Sequence, residues 1–226
     1  MAKPAFVETE NGNLRLPANA YRVTGNMIEV NEPKRVPGDA RKTRSYRVEF
    51  EPHRGQKPIW YDQKTRYQIL LAGSQGGKSH IGPLWLDREM QKALNSPDRT
   101  KDDEYEFAIV APTLNMQRQA FVGMARMVRY LGIKYGWPAE TILNKQDWTI
   151  NLNAVGLPVR IYSGTAEREH RLQGTRLRAA WIDEGGLVRD KDIYYTTLQR
   201  LSGSGRLLVT TTPYVEGAEW LKVLID

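Results

Sequence analysis

The stretch YQILLAGSQGGKS, residues 67–79, decides how this chain is read. Its first part, YQILLAG (67–73), is a short apolar run ending in glycine, the pattern of a buried strand. Its second part, AGSQGGKS (72–79), sets three glycines and a lysine ahead of a segment from Ser79 to about Leu94 that can continue as a helix, with Pro83 tolerable only in the first turn. Strand, glycine-rich loop and helix in that order predict a phosphate-binding loop. Backbone N–H groups of Gly73, Ser74, Gln75, Gly76, Gly77 and Lys78 can ring a β-phosphate, and the helix N-terminus adds positive potential. Lys78 can then reach the β and γ oxygens, and the Ser79 hydroxyl can ligate magnesium. Ala72 departs from the pattern, standing where G-x-x-x-x-G-K-[ST] has its first glycine. The competing reading is a glycine-rich turn with an incidental lysine; the strand before it and the helix after it weigh against that.

Outward from this loop the same texture repeats. FAIVAP (107–112) reads as a second strand, and LNMQRQAFVGMARMVRYLG as a helix with Met116, Ala120, Met124, Met127 and Leu131 in an approximate stripe. DWTINLNAVGLPVRIYSG looks like a hairpin with Gly156 near its turn. LRAAWIDE (177–184) is a strand, residues 191–201 a helix and RLLVTTTP (206–213) a last strand. Strands interleaved with helices predict an α/β fold, a mostly parallel central sheet flanked by helices on both faces.

Two of these strands end on chemistry. AAWIDEGG places two adjacent carboxylates after an apolar run, about 105 residues beyond Lys78. In a P-loop fold one such acid holds magnesium through water and the next activates the attacking water, which assigns Asp183 to the metal and Glu184 to the base. Neighbours on an extended chain point opposite ways, so the pair can divide the work. Alone, such a pair reads as a helix N-cap or a solvated turn. RLLVTTTP ends in Thr210, Thr211 and Thr212, whose hydroxyls can bond the γ-phosphate or its water and report its presence. The bland alternative is threonine's ordinary strand propensity.

Composition bounds the rest. The 226 residues carry 33 Lys+Arg against 26 Asp+Glu, a formal charge of +7, and 40% are hydrophobic, which suits one globular domain with an appendage. The positive excess favours a polyanionic partner such as nucleic acid. The chain has no cysteine, which excludes disulfides, thiolate metal sites and cysteine nucleophiles. His53, His80 and His170 are too scattered for a local metal motif. MAKPAFVETE lacks the apolar core of a secretory signal, and no apolar run is long enough for a membrane span. Residues 1–45, rich in Pro, Gly and Asn, read as an arm or small appendage before a domain at 46–226. Its basic run, Lys34, Arg35, Arg41, Lys42, Arg44 and on to Arg47, is either a solvated leader or a DNA-touching arm.

P-loop, strand-terminal Asp-Glu and Thr-Thr-Thr-Pro in this order resemble the ATPase domain of the large terminase subunit, the motor that packages DNA into viral capsids. The similarity covers about residues 46–220. AEREHRLQGTRLRAAWIDEGG looks like the family's Arg-x-x-Gly segment leading into its Walker B strand, with Arg171 at the arginine position. FEPHRGQKPIW looks like its adenine-recognition segment, with Gln56 able to bond an adenine edge and Trp60 or Tyr61 available to stack. APTLNMQRQAF resembles the strand and helix that follow the P-loop helix.

The resemblance implies a P-loop NTPase of the ASCE type, ATP and Mg2+ as cofactors, and a homo-oligomeric ring at the capsid portal that translocates double-stranded DNA into a procapsid. It implies the portal protein and the small terminase subunit as partners, in the host cell cytoplasm. Large terminases continue into a C-terminal nuclease, whereas this chain ends thirteen residues after Pro213, so an isolated ATPase domain without DNA cleavage is expected. Ser74 and Gln75 stand where many relatives carry a P-loop arginine, so the charge on the γ-phosphate is expected from another arginine. Arg171 is the candidate, acting as an arginine finger, with a loop charge or a DNA phosphate contact as the alternatives. Two other functions compete. A helicase-like or remodelling ATPase would need further arginine motifs, which do not fit in the 42 residues after Glu184. A nucleotide-binding assembly module without turnover would not need a base such as Glu184.

Overall fold

A computed structural model describes residues 6–7, 16–17, 50–73, 75–96, 104–135, 137, 142–166, 172–188, 192–213 and 220–221. The boundary expected near residue 46, the basic run from Lys34 to Arg47, Ser74 and Arg171 lie outside them. The described elements are β1 (Phe6–Val7), β2 (Leu16–Pro17), α1 (Lys57–Tyr61), β3 (Tyr67–Leu71), α2 (Lys78–Leu94), β4 (Tyr105–Ala111) and α3 (Leu114–Tyr135). They continue with β5 (Leu143–Asn144), β6 (Thr149–Asn151), β7 (Val159–Thr165), β8 (Leu177–Asp183), α4 (Asp192–Arg200) and β9 (Leu201–Thr211).

Seven strands form one sheet in the order β3-β9-β8-β4-β7-β6-β5. The first five are parallel; β6 and β5 add an antiparallel edge. β9 lies between the glycine-loop strand β3 and the Asp-Glu strand β8, the insertion that marks the ASCE class. The inner parallel strands β9, β8 and β4 bury both faces, and alternation along them shows it, whereas β3 lies at the sheet edge with Tyr67 and Leu71 exposed and is not the buried strand the sequence suggests. Phe107, Ile109, Ala179, Trp181 and Leu208 pack on one face with Ile81, Trp85, Phe121 and Met124 of α2 and α3. Ala108, Val110, Ala180, Ile182, Leu207 and Val209 pack on the other with Ile193, Tyr194 and Leu221. Each large apolar side chain so removed from water contributes about 1.5–3 kcal/mol. Helices therefore cover both faces, as expected.

Three local departures have physical causes. Pro83 sits inside α2, beyond its first turn, so the Ser79 carbonyl loses its helical donor. The Pro83 ring packs against α3 at Gly123, where a Cβ would stand 3.2 Å from it. The hairpin of β6 and β7 turns through a 3-10 segment, Leu152–Val155, closed by Gly156 at φ +80°. β9 begins at Leu201, directly after α4, although SGSG (202–205) has turn composition. Pairing of Leu201 with Leu177 and of Arg206 with Ala179, across a bulge, draws those residues into the sheet.

Candidate nucleotide-binding and hydrolysis site

The C-terminal ends of β3, β9 and β8 lie side by side, with Leu71 opposite Thr211 and Asp183 opposite Thr210. Residues distant in sequence meet there, at the edge where open α/β sheets bind ligands.

The loop after β3 is shaped by its neighbours. Gln75 (φ 66°) and Gly77 (φ 75°) take left-handed backbone, while Gly76 donates to the Gly73 carbonyl at 3.0 Å. A Cβ on Gly76 would stand 2.7 Å from that of Ala72, and one on Gly77 2.6 Å from Gln56 Nε2. Ala72, the departure from the usual motif, thus fits against the second glycine. Gly77 caps α2 without a side-chain bond, which leaves first-turn N–H groups to an anion.

Lys78 folds back over this loop. Its Nζ donates to the carbonyls of Ala72 at 3.0 Å and Gly73 at 3.1 Å, and stands 3.6 Å from Glu184 Oε1. The lysine side chain is buried, so the Glu184 charge acts on it with little screening. Ser79, next in the helix, is exposed.

Asp183 ends β8 and is buried. Its Oδ1 accepts from Thr210 Oγ1 at 2.7 Å, and that hydroxyl accepts from Trp181 Nε1 at 2.8 Å. Burial pushes the Asp183 carboxyl up to about 6; the Thr210 hydrogen bond opposes this, and the Glu184 charge adds to it. A cation beside it would favour the charged form, and Asp183 and Ser79 are the hard oxygen donors magnesium takes. The residues present therefore fit that ion.

Glu184 lies beyond the strand, at φ 50° and ψ 45°. Division of labour between the two acids comes from this turn, not from strand alternation. Gly185 packs so closely on β9 that a Cβ would stand 2.5 Å from Val209 Cγ1, and the chain bends left-handed at Glu184 to reach it. Such backbone costs a non-glycine residue about 1–3 kcal/mol and concentrates at functional sites. Glu184 Oε2 accepts from the Thr212 backbone N–H at 3.1 Å and its hydroxyl at 3.3 Å.

The three threonines therefore have three jobs. Thr210 is fully buried between Trp181 and Asp183, so its hydroxyl orients the carboxylate and is not presented to a phosphate. Thr211 is also buried; its hydroxyl accepts from Gly186 N at 2.8 Å and donates to the Thr212 carbonyl at 2.9 Å, pinning the turn after Glu184. Both differ from the expected contact with γ-phosphate, because the pleat and their depth direct them elsewhere. Thr212, half-buried and bonded to Glu184, is the one positioned at the site's surface. Thr210→Val, equal in shape, leaves Trp181 Nε1 and Asp183 Oδ1 each without that partner. It is expected to lower stability by about 2 kcal/mol in urea unfolding followed by Trp fluorescence; a change below about 0.5 kcal/mol would contradict the relay.

The segment before α1 grips the loop from outside. Gln56, buried, donates from Nε2 to the Gly77 carbonyl at 3.1 Å, and its Oε1 accepts from His53 N at 3.2 Å. Its amide is thus committed to the loop backbone and not turned outward as an adenine contact. His53 Nδ1 accepts from Gly55 N at 3.1 Å, which places the ring proton on Nε2, 3.3 Å from the Gly76 carbonyl it bonds. Sequence reasoning missed His53; its place three residues before Gln56 in FEPHRGQKPIW was the available signal. Trp60 is held edge-on by Phe50, with centroids 4.8 Å apart, and its ring is covered by the Arg88 guanidinium at 4.8 Å. Tyr61 is 50% exposed. Arg176 and Arg178 stand near the other end of β8: the Arg176 N–H bonds Glu106 Oε2, and Arg178 lies over Tyr105.

No protein-family model matches this sequence, and no curated protein does. Solved structures do. The large terminase of bacteriophage HK97 aligns with TM-score 0.56 at 19% identity, over 72% of this chain and 32% of its own. The large terminase ATPase domain of Thermus phage P74-26 aligns with TM-score 0.50 at 20% identity, over 73% of this chain and 66% of its own. The large terminase of another thermophilic bacteriophage aligns with TM-score 0.50 at 15% identity, over 76% of this chain and 43% of its own. This chain thus spans under two thirds of each of these proteins, and about a third of the HK97 protein. With the loop, the Asp-Glu strand and the intervening β9 in place, the chain has the P-loop fold of phage large-terminase ATPase domains.

Proposed function

We propose that this chain is the ATPase motor domain of a phage large terminase, coupling ATP hydrolysis to translocation of double-stranded DNA into a procapsid. The observation that carries the proposal is the meeting of Lys78, Asp183, Glu184 and Thr212 around one glycine loop. Phosphate oxygens compete with the Ala72 and Gly73 carbonyls for Lys78, which draws the lysine off Glu184. Glu184 then accepts the proton of the attacking water, oriented by two bonds from Thr212. Asp183 and Ser79 would hold magnesium, which when bound offsets charge on the β and γ phosphates. Thr212 connects that carboxylate to β9 and so to the sheet, a route by which loss of the γ-phosphate is felt.

The motor reading adds partners: duplex DNA, a ring of identical subunits, the portal protein and the small terminase subunit, in the host cytoplasm. Among the described residues no helix is long and apolar enough to cross a membrane. A motor grips backbone and releases it at each step, so its DNA binding should be weak, indifferent to sequence and steep in salt. ATP hydrolysis is expected to rise several-fold with duplex DNA of any sequence. Duplex affinity, read by fluorescence anisotropy, should fall about tenfold or more between 50 and 200 mM salt. A sequence-specific complex that survives high salt, or hydrolysis indifferent to DNA, would contradict the proposal.

A further inference from the structure

The second half of α2 carries an unusual load: Asp87, Arg88, Glu89 and Gln91 are all buried. Glu89 Oε1 is a single acceptor shared by three cations, Arg206 at 2.5 Å, Lys92 at 3.0 Å and Arg88 at 3.4 Å. Burial pushes Arg88 and Lys92 below their ordinary values; Glu89 opposes this and Arg206 adds to it. The Asp62 carboxylate also attracts Arg88 and Arg206, so three cations face two carboxylates here, and the remaining positive charge is costly where water is scarce unless an anion joins it.

A cavity of about 640 Å³ opens beside this cluster, lined by Glu89, Gln91, Lys92, Arg178, Ser204 and Arg206 among others. That volume lies in the range of small-molecule sites. Its described charged lining sets three cations against one carboxylate. Gln91 is 2% exposed, and among the described residues neither its Nε2 nor its Oε1 has a hydrogen-bond partner. Buried amides with both ends unpaired are rare in folded proteins, and this one belongs to a residue that lines the cavity. Arg206 is spent on Glu89 and on the carbonyls of Asp62 and Thr65. Arg178 is not: half-buried over Tyr105, its one described hydrogen bond is a 3.4 Å contact to Ser204 Oγ.

We propose that this cavity binds a phosphate dianion, free or as the terminal group of a nucleotide, at a site separate from the P-loop. The excess of two positive charges matches a dianion; a carboxylate or a phosphodiester brings only one. Arg178 offers its planar fork to two oxygens and Lys92 a point charge, while Arg206 supplies field from behind. Gln91 completes the shell. Its Nε2 donates to a phosphate oxygen, and its Oε1 accepts from the O–H of hydrogen phosphate or from a water bound with the ligand. Arg178 precedes Asp183 by five residues on β8, about 16 Å along the strand, so the cavity lies toward the opposite edge of the sheet from the P-loop.

Calorimetric titration of the whole chain with inorganic phosphate tests this, with Lys78→Ala separating the cavity from the P-loop. Lys78→Ala, which weakens the P-loop's own hold on phosphate, is expected to keep one phosphate site with the affinity that the cavity has in the wild type. Arg178→Ala and Gln91→Met should each weaken binding about tenfold. Without phosphate, Gln91→Met should melt higher than wild type, since it removes an unpaired buried amide while filling the same space; adding phosphate should then raise its Tm less than that of wild type. A nucleoside monophosphate binding tighter than phosphate in Lys78→Ala identifies a nucleotide as the source, and equal or weaker binding identifies free phosphate. The proposal is overturned if wild type binds no phosphate, or if binding vanishes with Lys78→Ala and survives Arg178→Ala and Gln91→Met. Dimethyl phosphate binding as tightly as inorganic phosphate would overturn the dianion assignment.

Discussion

Glu184→Gln is expected to bind ATP as tightly as the wild type or tighter, and to hydrolyse it about 10²–10⁴-fold more slowly. The amide keeps the side chain's shape and loses its basicity. Its oxygen can still accept from the Thr212 N–H and hydroxyl, so the left-handed turn at residue 184 keeps its anchor. What changes is the side facing Lys78, 3.6 Å away, where a carboxylate oxygen is replaced by an amide that cannot pair with an ammonium. Lys78 is then free for phosphate, and affinity does not fall. Retained binding with lost turnover separates a base from a structural acid, because a collapsed site would lose both. Equilibrium binding of a labelled ATP analogue and single-turnover hydrolysis measure the two quantities on one preparation. If Glu184→Gln hydrolyses ATP at the wild-type rate, the base lies elsewhere and the carboxylate serves only to hold Lys78 and Thr212.

Much of this site could be read from the sequence because it lies where short apolar runs end. LRAAWIDE and RLLVTTTP are buried on both faces, so their composition marks them as central strands, whereas YQILLAG forms the edge strand β3 with Tyr67 and Leu71 exposed; parallel pairing brings the C-terminal ends of all three to one edge. Position along a strand is local information; depth and partner are not. Thr210, Thr211 and Thr212 look equivalent in the sequence, yet the pleat sends Thr211 to the face opposite Thr210, and Asp183 claims the Thr210 hydroxyl from 27 residues away. Gln56 is a similar case: its amide bonds a carbonyl 21 residues downstream, a contact that only the packing of α1 beside the loop creates. The polar run of α2 was illegible for a different reason. Asp87, Arg88 and Glu89 look like a solvated helix face, but the backbone carbonyl and ring of Trp60 and the side chain of Arg206 on β9 close over them. Charge composition names such residues without saying which are covered.

The second large effect concerns the charge that completes the site. Ser74 and Gln75 provide no guanidinium in the loop, and Arg176 and Arg178 lie near the start of β8, the latter about 16 Å of strand from Asp183. Arg171, the arginine of the Arg-x-x-Gly segment, remains the candidate, and Arg171→Ala is expected to cut turnover about a thousandfold or more while leaving ATP bound. A cation against the γ-phosphate stabilises charge that grows during transfer, so its loss is felt in rate before affinity. If a ring delivers that arginine from a neighbouring subunit, specific activity should climb with protein concentration, which a self-contained site would not show. Mixing decides the matter. Glu184→Gln subunits keep Arg171, and Arg171→Ala subunits keep both carboxylates, so a mixed interface joins an intact arginine to an intact base. Steady-state phosphate release across mixing ratios, with light scattering to verify association, should show activity that neither variant has alone. A mixture that stays inactive while assembled wild type turns over would place Arg171 in its own subunit's site or outside the chemistry, and would leave the ring without a catalytic reason to form.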